Sequence, residues 1–124
     1  MSTQPAQIWR ALLRRSLLTA RKDRDAVRVS ALRSALSAID NAETPDVVAA
    51  TGPMTGVIAG AVAGVGASEV ARRNLTDEQI RHLVQSEIDE RRSAADDVTA
   101  AGHPDRAARL QAEAAVLAAL LGDV

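Results

Sequence analysis

Apolar residues recur at helical spacing in four stretches of this chain. Between about Ala6 and Arg21, Trp9, Leu12, Leu13, Leu17 and Ala20 share one face, while Arg10, Arg14 and Arg21 take the other. Pro5 suits the start of that helix, because its missing N–H would find no partner there in any case. A second helix is predicted from about Asp25 to Glu43. Val29, Leu32, Leu36 and Ile39 form its stripe, Ala35 and Ala42 widen it, and Pro45 stops it. A third begins after Leu75 with Thr76 as N-cap, and Gln79 three residues on completes a capping box. Its stripe is Ile80, Leu83, Val84, Ile88, Ala95 and Val98, and Gly102 is the expected left-handed stop. A fourth runs from Pro104-Asp105 to about Leu121, with Ala107, Leu110, Ala114, Leu117 and Leu121 in register, His103 as its N-cap and Gly122 at its end. The connection between the last two helices is so short that they must form an antiparallel hairpin.

Residues 44–74 break the pattern. From Val47 to Ser68 the chain carries no charge, and Gly52, Gly56, Gly60 and Gly64 recur every four residues, as in packed membrane helices. The run is nevertheless poor in large apolar side chains. It contains Pro53, no Leu and no aromatic belt, so a membrane span is rejected. The expectation is a flexible or partly helical insert, with residues 57–65 packing on the bundle. The fold class is therefore all-α: one domain over residues 1–124, a small four-helix array of two helical hairpins joined by a long Gly/Ala-rich insert.

Composition removes whole classes of chemistry. The 124 residues include no Cys, no Phe, no Tyr and one Trp. Without cysteine there are no disulfides, zinc-thiolate sites, iron–sulfur clusters or thiol nucleophiles, which fits a reducing cytoplasm. Without aromatics there is no platform on which single-stranded bases could stack. The first helix is no secretory leader, since Arg14 and Arg15 break its apolar run and no small-residue cleavage site follows.

The net charge of −1 hides an asymmetry. Eight basic residues (Arg10, Arg14, Arg15, Arg21, Lys22, Arg24, Arg28 and Arg33) face only Asp23 and Asp25 before residue 40, whereas acidic residues dominate from there on. Either the two halves attract each other within the fold, or the basic half meets an anionic partner. For such a partner, Arg10, Arg14, Arg15, Arg21 and Lys22 are the candidate phosphate contacts. A basic amphipathic helix lying on a membrane surface is a third arrangement of the same residues.

No catalytic constellation stands out. Glu78 and His82 lie one turn apart and could hold a metal weakly, but a surface ion pair is the simpler reading. No Glu-x-x-His motif is present, so a di-iron bundle is disfavoured. The expectation is no catalytic residue, no metal and no cofactor. Charges beside the apolar stripes (Arg33 and Asn41 on the second helix, Glu87 and Arg91 on the third, Glu113 on the fourth) suit an interhelical polar cluster at the edge of the core. Such a cluster fixes register more than it stabilises.

The same residues carry a family resemblance. The pattern Val29-x-x-Leu32-Arg33-Ser34-x-Leu36-x-x-Ile39-x-Asn41-Ala42-Glu43 resembles the GatB/YqeY family. So does Leu75-Thr76-Asp77-Glu78 followed by Val84-x-x-Glu87-x-x-Glu90-Arg91-Arg92, and so does Gly102-x-x-Asp105 followed by Leu110-x-x-Glu113-x-x-Val116-Leu117. Ala20-Arg21-Lys22-Asp23 followed by Val27 looks like the family's first turn. The resemblance covers most of the chain outside Val47–Ala71. It implies an all-helical domain similar to the C-terminal region of the B subunit of the tRNA-dependent amidotransferase, a carbon–nitrogen ligase with glutamine as amido donor. It further implies an accessory, tRNA-linked role without an active site of its own, and a translation-related protein as the other natural partner. Two departures accompany it. The insert is longer than the family's usual connection, and the Leu-Pro turn and small helical tail that usually follow the fourth helix, the part most associated with tRNA, are absent before Val124. The alternative expectation is a protein-interaction or homo-oligomeric module that binds no nucleic acid.

Overall fold

The computed structural model describes residues 4–44 and 73–123, and among these the chain is all-α, with four helices and no strand. The helices are α1 (Pro5–Lys22), α2 (Ala26–Glu43), α3 (Asp77–Ala100) and α4 (Pro104–Asp123). The uncharged run Val47–Ser68, and with it the expected packing of residues 57–65, lies outside the described residues. No described helix is long and apolar enough to cross a membrane.

Each helix end has a local cause. Pro5 opens α1, and Asp25 caps α2 by accepting from the backbone N–H of Arg28 at 3.1 Å. Thr76 and Gln79 form the reciprocal capping box, at 3.0 and 2.8 Å. α3 stops in a Schellman turn, in which the His103 N–H reaches the Val98 carbonyl at 2.8 Å and that of Gly102 reaches Thr99, with Gly102 at φ +89°. α1 ends in the same motif with an arginine in the glycine position. The Asp25 N–H bonds to Ala20 and that of Arg24 to Arg21, and Arg24 sits at φ +55°. Nothing in the sequence announces that strained turn. α4 runs one residue beyond the expected Gly122 stop.

α1 pairs with α2 and α3 with α4, so the two hairpins are present. α2 lies at the centre, against α3 and α4 as well as α1, whereas α1 touches α3 only slightly. A helix packed on several neighbours needs small side chains for close approach, and Ala31 and Ala35 are fully buried on α2. The core is built from Trp9, Leu13, Leu32, Ile39, Ile80, Val84, Ile88 and Leu117. The expected stripes supply all eight, but Leu12, Leu36, Leu83, Leu110 and Leu121 are only half-buried. Two carboxylate residues, Glu43 and Glu113, are buried at positions that continue the apolar stripes, four residues after Ile39 and three after Leu110.

Candidate nucleic-acid interface

α1 contains no acidic residue. Its core face (Ala6, Trp9, Leu13, Leu17 and Ala20) is covered, so its cations are pushed to the rim and the outside. The five basic candidates then separate into two kinds.

Arg10 is structural. Its guanidinium donates to Asp40 Oδ1 at 2.6 Å through Nη2 and at 3.1 Å through Nε, and it also engages the Glu43 carboxylate. The Arg10 side chain is only 15% exposed and that of Glu43 only 9%. A buried carboxylate is tolerable only with a partner against it, and Arg10 helps α2 place Glu43 in the α1–α2 seam. Its charge is spent inside the fold.

Arg14, Arg15, Arg21 and Lys22 are exposed. None of these four enters an ion pair among the described residues, in contrast to Arg10, Arg28, Arg81, Arg91 and Arg109. Arg21 and Lys22 occupy the last turn of α1, where they also complement the negative end of the helix dipole. Among the described residues the large apolar side chains left exposed, Ile8 and Leu18, lie on this same helix.

The expected polar cluster is assembled in part. Arg91 donates to Glu87 Oε1 and to Glu113 Oε1, both at 3.0 Å, and Arg109 approaches Glu113 Oε2 at 3.7 Å. This ties α3 to α4 at the core edge. Arg33 and Asn41 are exposed and make no ion pair with it. They line, with Glu87, Ser34 and Ser37, a shallow depression on α2.

Sequence reasoning missed a second polar junction. Trp9 Nε1–H donates to Asp77 Oδ1 at 2.8 Å, Arg81 Nε–H donates to Asp77 Oδ2 at 2.7 Å, and the Arg81 guanidinium lies 5.7 Å from the centre of the Trp9 ring. Arg81 also reaches the Leu121 carbonyl at 3.2 Å, so the junction gathers α1, α3 and α4. The hydrogen bonds from Arg81 and Trp9 hold the Asp77 carboxyl below the ordinary aspartate range. Asp77 reads in sequence simply as a first-turn acid, and only the packing of α1 supplies its indole partner.

Glu78 and His82 are both exposed on α3, beside Leu75 and Leu83. Among the described residues no three metal-ligating side chains come together. Comparison of the chain with protein-family models, with curated proteins and with solved structures finds no match in any of the three.

Proposed function

We propose that this chain is a noncatalytic GatB/YqeY-like helical module, accessory to tRNA-dependent amidotransfer or to another tRNA-linked process. It meets the tRNA phosphates through the outer face of α1. The observation that carries this reading is the set Arg14, Arg15, Arg21 and Lys22: four exposed cations on a helix without a single carboxylate, none of them used in an ion pair within the described fold. Counterion release makes such a face favourable for a polyanion. The motifs of α2, α3 and α4 that resemble the family support the same assignment.

The test is fluorescence anisotropy with total tRNA at low and at physiological salt. Binding falls steeply with salt, and an Arg14→Glu/Arg15→Glu variant loses it with an unchanged circular dichroism spectrum. Arg10 is left intact, because its removal would perturb the α1–α2 seam. Absence of binding even at low salt rejects the reading.

Exposed Ile8 and Leu18 favour a second reading, a protein-interaction or homo-oligomeric module using the same helix. In that case mass measured by sedimentation rises with concentration, and Leu18→Ser abolishes the rise.

A further inference from the structure

We infer that the RNA surface extends from α1 across the outer face of α2, and that it recognises the backbone of double-helical RNA, including its 2′-hydroxyls, rather than unpaired bases. This rests on the tRNA-linked reading above and goes further in naming the form of nucleic acid and the residues that distinguish it.

Three observations lead there. First, Trp9, the chain's single aromatic residue, is 1% exposed and committed to Asp77. No Phe, Tyr or Trp ring is left outside for a splayed base, the exposed imidazoles of His82 and His103 belong to α3 and the α3–α4 turn rather than to α1 or α2, and recognition of single strands depends on such stacking.

Second, cations and neutral polar groups adjoin without a break. Gln7, Arg14 and Asn41 line the cleft between α1 and α2, and Asn41 also borders the next depression, with Ser34, Ser37 and Arg33. Gln7, Arg14 and Arg21 follow each other at seven-residue steps, about 10 Å apart along one side of α1. Amide and hydroxyl side chains bond to sugar and phosphate oxygens, and in RNA the 2′-hydroxyl is both donor and acceptor.

Third, the carboxylates that border this surface are each engaged from within, which weakens their repulsion of a polyanion. Asp40 in the first depression is held by Arg10, and Glu87 in the second by Arg91. What remains unpaired on the surface is positive, Arg14 and Arg33, or neutral. Arg10 thus serves RNA binding indirectly, by holding the Asp40 carboxylate with a guanidinium that Glu43 shares, and the second-helix residues Ser37 and Asn41 become the sugar contacts.

The experiment compares the full chain's affinity for an RNA duplex, a DNA duplex of the same sequence and the RNA single strand, at equal low salt. The expected result is an RNA duplex bound about tenfold more tightly than the DNA duplex, the amount one or two hydrogen bonds supply. Ser37→Ala/Asn41→Ala, both at exposed positions, removes that preference while leaving the DNA affinity and the melting temperature unchanged. Arg14→Glu lowers binding to both duplexes. Equal affinity for the two duplexes, or tighter binding of the single strand, overturns the inference and leaves phosphate binding by α1 standing. No binding to any of the three overturns both.

Discussion

The indole of Trp9 and the carboxylate of Asp77 are 68 residues apart in sequence and joined by a 2.8 Å hydrogen bond. It fastens the first half of α1 to the start of α3 across a bundle in which those two helices otherwise barely meet. Asp77→Ala leaves the indole N–H without its acceptor and takes from Arg81 its carboxylate partner, while the Arg81 contact with the Leu121 carbonyl remains. The expected cost is about 1–2 kcal/mol, measured by chemical denaturation, with a change in Trp9 fluorescence in the native state. Trp9→Ala empties the largest core position and costs about 3–5 kcal/mol.

Acid should weaken the same junction. Asp77 is held below the ordinary aspartate value in the folded chain, so as pH falls the unfolded chain takes up its proton first. The stabilisation is complete above the ordinary value, about pH 4, and is lost as pH falls through the lower folded value. The carboxylate is half exposed, so the effect is small. It is read as the difference in acid midpoint between the wild type and Asp77→Asn, with Trp9 fluorescence as the probe. Identical midpoints would contradict it.

Arg10 and Arg15 stand on one helix and should behave oppositely. Arg10→Ala takes from the buried Glu43 carboxylate the guanidinium it shares with Asp40 and is expected to cost about 2–3 kcal/mol. Arg15→Ala, at an exposed position, should stay within about 0.5 kcal/mol of the wild type. Thermal melts of the two variants decide the matter.

Arg91 and Glu113 form the corresponding pair between α3 and α4. Arg91→Ala leaves Glu113 buried with only the more distant Arg109 and costs about 2–3 kcal/mol. The double variant Arg91→Met/Glu113→Leu should recover most of that loss, since apolar side chains of similar size remove the need for a partner. A double variant no more stable than Arg91→Ala would show that the pair contributes net stability of its own.

Gly102 and Arg24 hold equivalent positions in two Schellman turns, at φ +89° and +55°. A Cβ at Gly102 meets no atom within 4 Å, so Gly102→Ala is costly through the backbone alone, by about 1 kcal/mol. Arg24→Gly relieves the same strain and should be neutral or stabilising by up to about 1 kcal/mol. Opposite shifts in melting temperature are the expected reading.

The sequence by itself determined the helices, because their causes are local. Stripes such as Val29, Leu32, Leu36 and Ile39 need one helical face. Thr76 and Gln79 satisfy each other's backbone, and Gly102 accepts a left-handed turn that most residues resist. The Arg91–Glu87–Glu113 cluster was legible for the same reason, since its members flank apolar stripes. The tertiary structure decided what depends on facing partners. It made α2 central, buried Glu43, drew Arg10 out of the row of cations on α1, and turned Asp77 from a first-turn acid into the acceptor for Trp9. Helical periodicity tells which side of a helix is covered, but not by which neighbour. A charge at the edge of a stripe therefore becomes a surface contact or an internal ion pair only when the next helix brings, or fails to bring, its counterpart within reach.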